Sequence, residues 1–484
     1  MRVLHVASEV APFAQSGGLA DVLAGLPAAQ ADSHGIDAGI LVPLYRGVVD
    51  KLAAAGIALE PGVALPLELG VHRLDTAIRI ARIGRVTYGF LDCAALYDRG
   101  GGLYGPHGAG EFSDNHVRFA ALGKAAITAG KILLGGTPEI LHVHDWQGSA
   151  AAIYARIAES PSRIVTTIHN LAYRGIFPKA ALPELGIPWS LFTVDLVEFY
   201  DQIAFLKAGL ALADAVTTVS PTYAQEILTP ERGEVLDGFL RTRVRRLVGI
   251  ANGIDTVAWD PAVDPALAEP YSSDRLAGKA TCRARLAAEL DLAVPEGDFL
   301  ISVIARMTDQ KGLDLVADIV PELARLGARL VVLGSGEPAL EQRFLWLAGA
   351  FRDHIAVRIG FDGDLARRIY AGSDLFAMPS RFEPCGLGQL YAMRYGTIPV
   401  VHAVGGLRDT VTDPGDAALA EGRGTGFRFE SATAAALAHT LERAVALLRD
   451  PAVLTTVRRA AMQRDSSWTA SALEYVRLYR SLTA

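Results

Sequence analysis

Short β-branched apolar runs, each followed by a helical stretch, occur in two successive series, and nothing else in this 484-residue chain constrains its fold as much. The first series reads RVLHVAS, AGILVP, EILHVH, RIVTTIH and AVTTVS. The second reads FLISVIAR, RLVVLGSG, IAVRIGF, LFAMPS, IPVVHA and GFRF. Continuous apolar runs suit parallel strands covered on both faces, and their alternation with helices calls for βαβ units. The expected class is α/β, with two doubly wound Rossmann-like domains facing across a cleft. Ligands of such sheets sit outside the carboxyl ends of the strands. The second series begins after the polar stretch ANGIDTVAWDPAVDP, which puts the boundary near residues 245–255. The expected division is 1–246, 247–463, and a last amphipathic helix within 464–484 after the break at RDSS.

Bulk properties remove several function classes. A net charge of −7 on a chain that is 51% apolar argues against a nucleic-acid partner. Cys93, Cys282 and Cys385 are odd in number and far apart, which suits a reducing compartment and neither a disulfide framework nor a zinc site. MRVLHVASEV reads as a strand, not a signal peptide, and the alanine-rich stretches are broken by charges and prolines, so no membrane span is expected. A soluble cytoplasmic protein is the expectation. No G-x-G-x-x-G follows the first strand, and GSGEPA after RLVVL is a partial match only, so a hydride-transferring dehydrogenase is disfavoured.

Polar clusters collect at the expected strand ends: HVHDW (142–146), IHN (168–170), ARMTDQKG (305–312), PSRFEPCGL (379–387) and GGLRDT (405–410). One such cluster is a loop; five at one edge of two sheets describe a site. AQSGGLADV (14–22) adds a diglycine turn that allows positive φ and close approach, ahead of a helix whose first N–H groups would face the turn. Taken alone it also reads as a simple strand-to-helix connection. Arg306 and Lys311 can converge on a diphosphate or face solvent separately. Pro384 stands where a helix can begin, a second candidate anion site. Glu383 can bind sugar hydroxyls or serve as a first-turn acid. His169 can hydrogen-bond a substrate hydroxyl or be structural. Asp145, beside Trp146, can orient a sugar ring or cap a helix next to a buried indole.

In this order SGGLADV, HVHDWQ, IHNLAYRG, FLKAGL, VSPTYAQEI, NGID, ARMTDQKGLDL, SRFEPCGLGQLYAMRYGTIPVV and GGLRDTV resemble the bacterial glycogen synthase and plant starch synthase family, from residue 8 to beyond 411. The resemblance implies a GT-B glycosyltransferase whose final helix crosses back onto the first domain. It implies retaining transfer of glucose from ADP-glucose to the non-reducing end of an α-1,4-glucan such as glycogen, without metal or cofactor, nucleic acid or membrane. By the same resemblance Arg306 and Lys311 hold the diphosphate, His169 and Asp145 sit on the transferred glucose, and Glu383 contacts its hydroxyls near the anomeric carbon. Gln15, Gly17, Gly18, Asp21, Asn170, Asn252, Phe361, Cys385, Gly386, Leu387 and Gly388 complete the expected substrate contacts.

The chain departs from the family at the donor side. The opening motif, usually K-T-G-G-L, here carries Gln15 and Ser16, so a full positive charge is replaced by a helix end worth about half of one. Gly388 stands for the threonine of C-G-L-T, and His402 and Val404 stand in R-x-T-G-G-L. Phe361 takes the place of an adenine-stacking tyrosine. These changes leave two other readings: a related retaining glucosyltransferase with another nucleotide sugar or acceptor, and a glucan-binding protein without catalysis. A phosphorylase is disfavoured, because no lysine lies in a convincing pyridoxal-phosphate context.

Overall fold

The computed structural model describes residues 1–106 and 110–484. The chain forms two compact units, Met1–Gly253 with Ser467–Ala484, and Ile254–Ser466. The first junction therefore lies a few residues past the expected 246/247. Residues after the strand Leu247–Gly249 remain tied to the first unit, where Ser471 Oγ donates to Ala251 O at 2.6 Å. The second junction follows the helix Pro451–Gln463, and Ile254 N there donates to Ser466 O at 2.7 Å.

The sheet of the first unit runs Leu247–Gly249, Ala215–Thr218, Arg163–Ile168, Ile140–His144, Arg2–Val6, Asp37–Pro43, Val86–Asp92, Ala77–Ile83, Val63–Ala64. All neighbours from Leu247–Gly249 to Val86–Asp92 are parallel, and the last two pairings are antiparallel. Every expected strand of the first series is present. The hairpin Ala77–Ile83/Val86–Asp92 was not expected, because AIRIARI alternates in burial at the sheet margin and lacks the continuous apolar run of a central strand. Ile140–His144 is buried at every position although it contains two histidines.

The last helix, Trp468–Thr483, packs on the helix Gly18–His34 of this same sheet. Gly25 permits the contact: a Cβ there would lie 2.0 Å from the Trp468 indole nitrogen. Tyr475 and Tyr479 of the last helix are buried in the first unit's core.

The second unit holds six parallel strands in the order Ile355–Ile359, Ala328–Gly334, Phe299–Ile304, Leu375–Met378, Ile398–His402, Phe427–Phe429. Its core is built from these strands and the helices beside them, with Leu330, Val332, Leu375 and Val400 wholly buried. Among the described residues no helix is long and apolar enough to cross a membrane.

Candidate active site

In a doubly wound sheet the loops diverge where the strand order reverses, and ligands bind there outside the carboxyl ends of the strands. In the first unit this point lies between Arg2–Val6 and Ile140–His144. The loop leading to Gly17 follows one strand, Asp145 follows the other, and His169 follows the next strand along.

Asp145 is the first residue of the helix Asp145–Ile157 and has φ 50°, a left-handed conformation that costs a non-glycine residue energy. It does not cap its own helix. Its Oδ1 accepts from His169 N at 2.7 Å and from Asn170 N at 3.4 Å, so the strained residue fixes the neighbouring strand's exit. Burial pushes the carboxyl up to about 7, against the pull of those two N–H groups. Asn170 Oδ1 accepts from Ala172 N, which tightens the same turn. Trp146 is buried against Phe119 and Phe177 and belongs to the core.

His169 is half-buried, its Nε2 lies 3.0 Å from His144 Nδ1, and burial holds its pKa down to about 3. The ring is therefore neutral at physiological pH. Asn252 is buried on this unit, and its Oδ1 has no hydrogen-bond partner among the described residues.

The diglycine turn is organised by a residue the sequence reading passed over. Glu9 is 3% exposed and accepts from Ser16 N and Ser16 Oγ, both at 2.6 Å, and from Gly17 N at 3.1 Å. Tyr104 OH donates to the same carboxylate. Gly17 has φ −161°, extended backbone open to any residue, so the expected need for positive φ does not hold. A Cβ on Gly17 would meet nothing within 4 Å, and Gly18 is the exposed first residue of its helix. Asp21 sits in the first turn of that helix, its carboxyl pushed up to about 6 by burial and by the Glu9 charge. Gln15 Nε2 donates to Asp21 Oδ2 at 3.4 Å.

In the second unit the order reverses between Phe299–Ile304 and Leu375–Met378. The loops that follow these strands carry Arg306 and Lys311 on one side and Glu383 to Gly388 on the other. Backbone and side-chain bonds stitch them together: Arg381 N donates to Gln310 O at 2.9 Å, and Arg381 forks onto Asp314 at 2.8 and 2.6 Å. Lys311 Nζ lies 2.5 Å from Glu383 Oε2, which also accepts from Ser380 Oγ at 3.0 Å. Glu383 is buried, and the exposed Arg306 has a side chain with no hydrogen bond or ion pair among the described residues. Lys311 thus pairs with the buried Glu383, while the Arg306 side chain stands in solvent on the same loop.

Pro384 does not begin a helix; the helix Gly388–Arg394 starts four residues later. Pro384, Cys385, Gly386 and Leu387 instead form an irregular loop that the second diglycine holds. Gly405 has φ 42°, and its Cβ would fall 2.0 Å from Glu383 O; that of Gly406 would fall 2.1 Å from Cys385 O. Only glycines let the two backbones approach this closely. Gln389 Nε2 closes the loop from inside by donating to Gly386 O at 2.8 Å and to Cys385 O at 3.2 Å. His402 Nδ1 donates to Ser380 O at 2.7 Å, so the histidine in the place of the family's arginine braces the Glu383 turn. A Cβ on Gly388 would lie 3.1 Å from Phe376, whose ring occupies the room a threonine needs. Phe361 follows the strand Ile355–Ile359 and is 94% exposed.

Glu9 was missed in the sequence, where its only signal is a lone acid in the apolar run VASEVAPFA. His402 stood there only as a departure from the family's arginine, and Ser380 and Gln389 only as members of the SRFEPCGLGQL motif, none with the contact it makes here.

Residues 2–242 match the family model for the starch synthase catalytic domain, and residues 298–446 match that for glycosyl transferases group 1. A glycogen synthase of Anaeromyxobacter dehalogenans is 47% identical over 488 residues, covering 100% of both chains. One of Syntrophotalea carbinolica is 44% identical, covering 99% of this chain and 98% of its own. The solved catalytic domain of starch synthase IV from Arabidopsis thaliana, bound to ADP and acarbose, matches with a TM-score of 0.89 and 31% identity over 99% of each chain.

Proposed function

The chain belongs to the glycogen synthase and starch synthase family of glycosyltransferases and has their GT-B fold, and on that premise we propose that it transfers glucose from ADP-glucose to the non-reducing end of an α-1,4-glucan with retention. The observation that carries the assignment to this chain's own residues is the pairing of Lys311 with Glu383 on the loop that also carries Arg306, whose side chain has no ion pair among the described residues. Lys311, Arg381, Asp309, Asp314 and Glu383 pair among themselves, which leaves the exposed Arg306 as the cation this loop offers to a diphosphate leaving group.

In the reaction the bond from the anomeric carbon to the diphosphate oxygen breaks, and the electron pair stays on that oxygen. Arg306 and Lys311 stabilise the growing charge; preorganised donors of this kind are worth about 3–4 kcal/mol each. The acceptor's hydroxyl oxygen forms the new bond on the face the diphosphate leaves, and its proton passes to the departing phosphate. No metal or cofactor is needed for that balance. Glu383, oriented by Lys311 and Ser380, binds the sugar near the anomeric carbon. His169 presents a neutral ring to the glucose, and Asp145 fixes the His169–Asn170 turn from behind. Phe361 offers an open face for the adenine, and the Cys385–Gly388 loop lines the donor side. Gln15, Gly17, Gly18, Asp21 and Asn252 complete the donor contacts on the first unit. The three cysteines are buried and form no disulfide among the described residues, in keeping with a reducing cytoplasm.

Incorporation of radiolabelled glucose into glycogen from ADP-glucose tests the proposal, with Glu383→Ala as control. Incorporation that disappears in the control supports it. Binding of glycogen without incorporation from any nucleotide sugar would replace it with a non-catalytic role.

A further inference from the structure

One face of the first unit's sheet carries a row of polar side chains that catalysis leaves unused. Register sets His5 beside His142, His144 beside Thr167, and Thr167 beside Thr217 on adjacent parallel strands. The helices Gly18–His34 and Trp468–Thr483 cover this row with Gln30 and Tyr479. His5, Gln30, His142, His144 and Tyr479 are all 0% exposed.

The contacts form one continuous line. His169 Nε2 lies 3.0 Å from His144 Nδ1, His144 Nε2 lies 3.1 Å from His5 Nδ1, and His5 Nε2 lies 2.9 Å from Gln30 Oε1. Gln30 Nε2 donates to Tyr479 OH at 3.1 Å, and that hydroxyl lies 2.7 Å from His142 Nδ1. His142 Nε2 carries the line to Thr167 Oγ1 at 2.6 Å, and that hydroxyl lies 2.6 Å from Thr217 Oγ1. The nitrogens of His5, His142 and His144 come within 4.8 Å of one another, as in a metal centre. All their ring nitrogens, however, already have hydrogen-bond partners inside the protein.

A neutral imidazole donates from one nitrogen and accepts at the other. Burial keeps these rings neutral, holding His5 down to about 4, His169 to about 3, and His142 and His144 well below the usual value. The line therefore has a direction. Gln30 Oε1 can only accept, so His5 carries its proton on Nε2 and accepts at Nδ1. His144 must then donate from Nε2 and accept at Nδ1. His169 is left to donate from Nε2, and its Nδ1, which has no partner among the described residues, is an acceptor. On the other side Tyr479 accepts from Gln30 and passes its own proton to His142 Nδ1.

We infer that Gln30, oriented by Tyr479 of the last helix, is a positioning residue that sets the tautomer of His169 through His5 and His144, making His169 Nδ1 an acceptor for a hydroxyl of the bound sugar. The second half of this statement rests on the proposed contact between His169 and the transferred glucose; the first half does not.

Nitrogen-15 NMR of the full-length, histidine-labelled protein reads the tautomer directly, with His169→Asn to assign the signals. The native protein is expected to show His169 protonated on Nε2. Gln30→Met, which keeps volume and removes the acceptor, should give a mixture of tautomers, whereas Gln30→Glu should retain the native one. Tyr479→Phe frees the Gln30 amide and should also give a mixture, which covers the case of a Gln30 variant that does not fold. With ADP-glucose and glycogen, kcat/KM of the mixed variants should fall with the fraction of His169 protonated on Nε2, about twofold for an even mixture. A native His169 protonated on Nδ1, or a tautomer unchanged in both Gln30→Met and Tyr479→Phe, would overturn the inference. A tautomer that shifts while kcat/KM holds would keep the relay and overturn the sugar contact.

Discussion

Lys311 and Glu383, 72 residues apart in sequence, meet at 2.5 Å because their strands are neighbours at the point where the second sheet reverses its order. The pair holds a carboxylate inside the protein and leaves the lysine half-buried, still able to turn toward an anion.

Removing the lysine charge in Lys311→Met should cost about 3 kcal/mol of stability, because Glu383 stays buried without its counter-charge. Labelled-glucose incorporation should fall by at least about 100-fold, the loss of one preorganised donor. Adding Glu383→Gln should restore the melting temperature without restoring incorporation. Rates that recover along with stability would show that Lys311 acts only through the fold.

Gln15→Lys would bring a cation within reach of Asp21, whose carboxyl now stands at about 6. A lower Asp21 pKa and a lower KM for ADP-glucose are expected from titration and initial-rate kinetics. An unchanged KM would place residue 15 away from the diphosphate.

Gly406→Ala forces a Cβ to within 2.1 Å of the Cys385 carbonyl oxygen, so the loop from Glu383 to Leu387 must move. Activity should be lost while circular dichroism stays native, with stability lowered by about 2–4 kcal/mol. Normal activity in this variant would separate the diglycine contact from the site.

Phe361 has almost no contacts to lose. Phe361→Ala should leave stability within about 0.5 kcal/mol, as for most surface changes. The KM for ADP-glucose should rise with kcat nearly constant, and Phe361→Tyr should stay close to the native value. Equal KM for all three would mean the ring does not touch the nucleotide.

Acid and base limbs of stability should oppose one another. The Asp145 carboxyl at about 7 lies above its unfolded value of roughly 4, so the folded chain binds the extra proton and this contribution falls as pH rises between them. His5 at about 4 and His169 at about 3 lie below their unfolded value of roughly 6.5, so their contribution is lost as pH falls from there. With His142 and His144 acting in the same sense, melting temperature should drop between pH 6.5 and 4.5. Asp145→Asn should gain stability relative to the native chain as pH rises from 4 to 7. A constant difference between the two sets of melts would exclude a raised Asp145.

Much of the fold could be read from the chain because its strands are local apolar runs that need burial on both faces. FLISVI or EILHVH carries that requirement in its own six or so residues. The strand Ala77–Ile83 escaped because its two arginines break the apolar run, and its hairpin partner Val86–Asp92, though buried at Val86 and from Tyr88 to Leu91, was passed over with it. Among site residues, Lys311, Glu383, Asp145 and His169 stood out as polar groups at the ends of apolar runs. Glu9 did not, since an isolated acid in a turn gains meaning only when Ser16 and Gly17 fold back onto it.

By itself the sequence determined the class of the two sheets, the order of their elements, and which polar clusters fall at the strand ends, because strand periodicity and turn residues act over a few residues. Tertiary structure alone decided who answers whom. His142 meets Tyr479 across 337 residues, and only strand register and a final helix that packs on the first sheet bring them together. The tautomer of His169 is set by such a line of contacts, and no part of that line is adjacent in the chain.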